Sequence, residues 1–209
     1  MKKLTLMSTE TMTLDKAFDD FISFKRINNL SGETIKYYQN CFKSLSEFYD
    51  TTFPCETITE STVYKYIEYL QAKNIVDISI NSYLRGIRTF LYFCMDRGYV
   101  GRFSIRLIKS DKEVKETYTN EEVEILLKKP NIKKCSFSEY RNWVIINYLI
   151  GTGNRLSTVT NLLCGDIDFD NDVIKLTKTK NRRQQLVPLS VTLKGILKEY
   201  LIYRKRSSG

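Results

Sequence analysis

The sequence predicts a mainly α-helical chain with one small antiparallel β-sheet, divided into an N-terminal helical bundle and an α+β second half. Three observations lead there. Apolar residues recur at helical spacing through roughly the first 105 positions. Short β-type runs separated by turn residues replace that pattern after about residue 166. With 42% apolar residues and only 9 Gly and 3 Pro in 209, the chain has the composition of packed cores, not of disordered sequence.

The first helix is expected from about Thr13 to Asn28, with Thr13 as N-cap and Leu14, Ala17, Phe18, Phe21 and Ile22 on its inner face. A second starts near Ser31 and turns Ile35, Tyr38, Phe42, Leu45 and Tyr49 inward. Asp50 to Pro54 interrupts the pattern. A third follows Thr59, with Val63, Tyr66, Ile67 and Leu70 inward. A fourth follows Ser79 and carries Ile80, Tyr83, Leu84, Ile87, Phe90, Leu91 and Cys94 on one face, ending at Gly98. Residues 1–105 thus form a bundle, and 106–118 read as a charged linker.

In the second half, residues 119–209, Thr119 and Glu122 have the spacing of a capping box. Val123, Leu126 and Leu127 are expected inward, and Pro130 ends that helix. An apolar helix starts at Ser138 or Glu139 and runs through Leu149. Gly151 and Gly153 bracket a tight turn before a short helix, Arg155 to Leu163. Asp166–Asp172 gives a strand and turn, Val173–Thr177 and Gln185–Leu189 give two further strands, and Lys178–Arg183 is a basic turn. Ser190 caps a last helix through about Tyr203.

Composition excludes several chemistries. With no histidine, these 209 residues hold no Ser-His-Asp triad and no His-bearing zinc site. The five cysteines are widely spaced, without a C-x-x-C pair, and read as small buried apolar residues in a reducing, cytoplasmic compartment. No apolar run is long enough to span a bilayer, so no membrane association is expected. Lys and Arg number 33 against 24 Asp and Glu, a formal +9, which favours a polyanionic partner.

Candidate phosphate and groove contacts fall on two helix stripes: Lys36, Asn40 and Lys43 in the second helix, and Asn81, Arg85, Arg88 and Tyr92 in the fourth. A solvated helix face has the same pattern. Arg102 opens a basic stretch, Arg102 to Lys109, that suits a phosphate backbone or an ordinary hydrated connection. Arg155, after Gly151-Thr-Gly-Asn, offers a planar fork to a phosphate, or pairs with a carboxylate such as Asp166. Lys180, with Arg182 nearby, sits on the basic hairpin turn, where a lysine can enter a groove or remain solvated.

The order Y-L-I-G-T-G-N-R-L-S, then G-D-I-D-F, then K-T-K-N-R-R-Q-Q-L-V-P-L-S, from Tyr148 to Ser190, resembles the tyrosine recombinases, the family of phage integrases. The L-S-x-x-T-I-x-x-Y segment, Leu30 to Tyr38, is similar to the family's core-binding domain. The nearest likeness is to integrases of phages and mobile elements of low-GC Gram-positive bacteria. The resemblance implies a SAM-like core-binding bundle, residues 1–105, followed by part of an α+β catalytic domain, 119–209. It implies that Arg155 holds the scissile phosphate and that Lys180, eight residues before Pro188, is general acid toward the leaving 5′-oxygen. Lys178 competes if the hairpin register slips. Thr158 stands where the family usually has an acid.

The family's His-x-x-Arg box and nucleophilic Tyr are not matched, and Tyr200 and Tyr203 read as packing residues. The resemblance therefore implies the N-terminal portion of an integrase, inactive alone, that binds double-stranded DNA between its two domains. The alternative is a non-catalytic, truncated DNA-binding regulator. No cofactor or metal is expected. Intact family members act as tetramers on DNA, and a monomer is expected for this chain.

Overall fold

A computed structural model describes residues 11–111, 115–176 and 184–207. Two compact units divide the chain, Met1–Val114 and Lys115–Gly209.

Unit 1 is a four-helix bundle of α1 (Leu14–Ile27), α2 (Gly32–Ser46), α3 (Glu60–Ala72) and α4 (Asp77–Asp96). The cap expected at Thr13 forms, and Ser31 and Thr59 cap α2 and α3, each side chain accepting a backbone N–H three residues on. α4 departs from expectation. It starts at Asp77, after Val76, with no side-chain cap, so Ser79 is an interior residue of the first turn. α2 ends at Ser46, which places Tyr49 beyond it; Tyr49 still packs against the bundle core, and its hydroxyl pairs with Thr57 Oγ1 at 2.6 Å. The start of α1 is stitched to the loop before α3 through Thr13↔Pro54 and the Cys55 N–H to Met12 O bond of 2.8 Å. Gly98, at φ +73°, ends α4 in the left-handed region, where a glycine carries no Cβ penalty.

The bundle core runs from Leu14 through Phe21, Leu45, Tyr66, Leu84 and Phe90 to Ile105. Aromatic rings dominate one end: Phe18 stacks on Phe42 at 3.8 Å, and Phe90 meets both edge-on. α2 and α4 cross at Gly86, where any Cβ would overlap the Cys41 side chain, and the Tyr37 hydroxyl donates to Ser82 O at 2.6 Å. Cys41, Cys55 and Cys94 are buried as expected, and desolvation pushes the Cys41 and Cys55 thiols up to about 11. Cys164 is exposed, against expectation.

Core packing reaches into the segment expected as a linker: Ile105 is buried, and Phe103, Leu107 and Ile108 pack on the bundle core.

Unit 2 consists of α5 (Asn120–Leu127), α6 (Phe137–Thr152), α7 (Leu156–Val159), a three-stranded antiparallel sheet and α8 (Val191–Ser207). The Thr119–Glu122 capping box is present. α5 buries no residue, so Val123, Leu126 and Leu127 do not form the expected inner face; α5 is held through its end, where Trp143 Nε1 donates to Leu127 O at 2.8 Å. α6 is capped by Ser136, two residues before the expected start, with Glu139 completing the box. The sheet runs β1 (Ile167–Asp168), β2 (Val173–Leu176), β3 (Gln185–Pro188), in that order. β2 pairs with β3 from Val173↔Pro188 to Leu176↔Gln185. Tyr140, Trp143, Val144 and Tyr148 of α6 pack with Ile174 and Leu176 of β2 and Leu193 and Leu197 of α8.

No helix among the described residues is long and apolar enough to cross a membrane.

Candidate functional site

Arg155 is presented by the turn between α6 and α7. Its position follows from local chemistry. α6 ends at Gly153, in the left-handed conformation at φ +65°, whose N–H bonds Leu149 O at 2.9 Å. Thr152 Oγ1 donates back to Tyr148 O at 2.7 Å and accepts the Asn154 N–H at 3.3 Å. Asn154 Nδ2 then donates to the Tyr148 hydroxyl at 3.1 Å. Tyr148 is itself buried in the core, which raises its phenol pKa. The residue before Arg155 is thus tied to the hydrophobic core by a side-chain chain of bonds. On the other side, Arg155 is the N-cap residue of α7, and its carbonyl accepts the N–H groups of Thr158 and Val159.

The guanidinium is exposed, and among the described residues it has no ion-pair partner. The structural pairing with Asp166 does not form: Asp166 Oδ2 instead accepts the Leu163 N–H at 2.8 Å and caps the 3-10 turn Cys164–Asp166. An uncommitted fork on a backbone fixed at both ends is suited to a planar anion.

The sheet follows directly. Asp168 of β1 is bonded by the Asn171 side chain and backbone, with Lys175 Nζ at 3.1 Å. These interactions, the Asn171 side chain first, hold its carboxyl well below the usual carboxylate range. Asp172, at φ +54°, completes the tight β1–β2 connection. The β2–β3 ladder closes at Leu176↔Gln185. Lys180, Lys178 and Arg182 fall beyond that closure and lie outside the described residues.

In unit 1, Lys36, Asn40 and Lys43 are all exposed on α2, and Arg85 is exposed on α4. Arg88 is half-buried and lines a hollow with Phe24, Lys25, Tyr92, Phe93 and Arg97. Arg102 is exposed beyond the bundle's last helix. Because α2 and α4 cross directly at Gly86 and Cys41, the two stripes belong to one rigid body.

Asn81 is a correction. Its side chain is 3% exposed and cannot reach a groove. Nδ2 donates to Ile108 O at 2.9 Å while Oδ1 accepts the Ile108 N–H at 3.0 Å. Helical spacing alone placed Asn81 with Arg85 and Arg88; the segment after the bundle covers it. The apolar alternation Phe103, Ile105, Leu107 was the signal available in the sequence. Tyr200 and Tyr203 pack as expected, stacked on Phe137, with Tyr203 also edge-on to Tyr140.

One family model falls within each unit. The phage integrase SAM-like domain matches residues 13–106 and the phage integrase family matches residues 116–209. This chain belongs to the phage integrase family. Among curated relatives, this integrase-family chain is similar to tyrosine recombinase XerC of Chlamydia caviae, 25% identical over 191 residues covering 90% of this chain and 60% of the relative. XerC of Staphylococcus aureus is 26% identical over 198 residues, 92% of this chain and 64% of the relative. The chain thus spans a little over three fifths of these relatives' length, 60% and 64%.

The fold matches the Tn1549 transposon integrase in complex with transposon right end DNA, with a TM-score of 0.73 at 17% identity, over 90% of this chain and 64% of that one. It also matches a lambda integrase tetramer bound to a Holliday junction, with a TM-score of 0.70 at 14% identity, over 91% and 55% of the two chains.

Proposed function

We propose that this integrase-family chain is the duplex-binding and phosphate-gripping part of a site-specific recombinase, whose whole protein cuts and rejoins DNA through a 3′-phosphotyrosyl intermediate. The observation that carries the reading is Arg155, an exposed, uncommitted guanidinium on a turn anchored to the core through Asn154 and Tyr148. In that role it binds two non-bridging oxygens of one phosphodiester and stabilises the charge that grows on them in the transition state. Lys180 is assigned as general acid toward the leaving oxygen. Lys36, Asn40, Lys43, Arg85, Arg88, Arg102 and Arg182 supply backbone contacts that set orientation. Tyr200 and Tyr203 are not assigned as nucleophile, since both are held in an aromatic cluster.

The test is equilibrium binding of a duplex across a salt series. Several neutralised phosphates give a log–log slope on the order of −4 to −8, and Arg155→Ala makes it shallower by about 1 without changing helicity. A flat salt dependence overturns the reading. Incubation of the 209-residue chain with a nicked trapping substrate is expected to yield no covalent protein–DNA adduct.

A further inference from the structure

The segment 102–110 is a strap, not a free connection. It runs back along α4, from the Ile105 N–H bonded to the Tyr92 hydroxyl at 3.3 Å to the Ile108 peptide held by Asn81. Tyr92 and Asn81 lie about three turns apart on that helix. An Asn side chain carries one donor edge and one acceptor, so it can pair with both polar groups of a single residue as a neighbouring strand would. Here both bonds go to Ile108, and Nδ2 also reaches Ser110 Oγ at 3.4 Å.

The strap's side chains alternate. Phe103, Ile105 and Leu107 face the bundle, whereas Arg102, Ser104 and Arg106 are exposed; Ile108 packs inward and Lys109 is exposed again. Three cations, Arg102, Arg106 and Lys109, are therefore exposed along this one segment. Among the described residues none of the three is in an ion pair.

We propose that Asn81 is a positioning residue that clamps the strap so that Arg106 and Lys109 are presented as a pre-formed phosphate-binding row continuing from Arg102. The inference rests on the DNA-binding reading above and adds two contact residues and the side chain that orders them. Without the clasp the cations remain on the chain, but ordering them becomes part of each binding event, so fewer phosphates are neutralised at once.

The experiment measures duplex binding against salt for the full 209-residue chain and for Asn81→Ala, Arg106→Ala/Lys109→Ala and the triple variant. Amide hydrogen exchange at Ile105 and Ile108 is followed in parallel. Loss of two phosphate contacts makes the slope shallower by about 2 in the double variant. Asn81→Ala is expected to produce a similar change, with Ile108 exchanging about tenfold faster or more, and the triple variant to show no further change. Ile108→Pro, which deletes the strap's donor and leaves α4 intact, should reproduce the Asn81→Ala slope and serves if that variant does not fold.

A wild-type slope in both clasp variants despite faster exchange overturns the inference and leaves the DNA-binding reading standing. So does an additive triple variant, or unchanged exchange at Ile108 in Asn81→Ala. A flat slope in the wild-type chain overturns both.

Discussion

The bundle buries apolar residues from each of its four helices, and the strap segment adds Ile105 to that core. In the second unit α5 buries nothing, and α6, α8 and the sheet share a core of Tyr140, Trp143, Val144, Tyr148, Ile174, Leu176, Leu189, Leu193 and Leu197. Around it, Ile150, Leu156, Leu163, Leu186, Val191 and Ile202 are exposed, as Ile27, Phe53, Val76 and Ile78 are on the bundle. Leu156 and Leu163 border an apolar hollow with Val144, Ile145 and Leu201. One unit is organised around its core. The other uses a smaller core to hold a turn in place, and Tyr148, which both packs in that core and bonds Asn154, links the two tasks.

Matched truncations break this comparison most severely. Leu84→Ala, at a fully buried position of α4, is expected to destabilise unit 1 by about 3–5 kcal/mol. Leu197→Ala, beside the open hollow in unit 2, should cost about 2 kcal/mol, because solvent and neighbours can fill the space. Chemical denaturation followed separately in the two units checks the order; equal losses would remove the distinction.

A pair of glycine substitutions probes it from the other side. Gly86→Ala drives a Cβ into Cys41 where α2 crosses α4 and is expected to cost about 1–3 kcal/mol. Gly195→Ala, in the interior of α8 with nothing within 4 Å of the new carbon, should stabilise by about 0.5–1 kcal/mol. Thermal melting of both variants gives the signs directly.

Asp168 yields a smaller effect that depends on pH. Its folded pKa lies below the ordinary carboxylate value of 3.8, owing to Asn171 and then Lys175. The ionised carboxylate therefore stabilises the β1–β2 turn above pH 3.8, and that contribution disappears as pH falls through the folded pKa. Asp168→Asn should lower the melting temperature of unit 2 near neutral pH and converge on wild type in strong acid. A constant difference across the series would assign the effect to packing.

Much of the helical frame was legible because its signals are local. Thr13, Ser31 and Thr59 cap through their own side chains, and the Thr119–Glu122 box closes within one turn. The two runs on either side of the basic turn were legible as a strand pair, but their register, Val173↔Pro188 to Leu176↔Gln185, came from the structure. The start of α4 was misread because Val76 offers no capping side chain while Ser79 has the composition of one. The inner face expected for α5 failed for another reason: amphipathic spacing states which residues could be buried, and no residue of α5 is covered enough to be so.

The 209 residues by themselves determined the two-part organisation, the caps, the absence of imidazole chemistry and the pattern around Arg155, since each depends on residue type and short spacing. Tertiary structure decided which polar residues of α4 face outward. Asn81 and Arg85 are one turn apart and alike in pattern, yet the returning strap buries the first and leaves the second exposed. Burial of a helix face depends on what packs over it, and the covering segment here is 27 residues further along the chain.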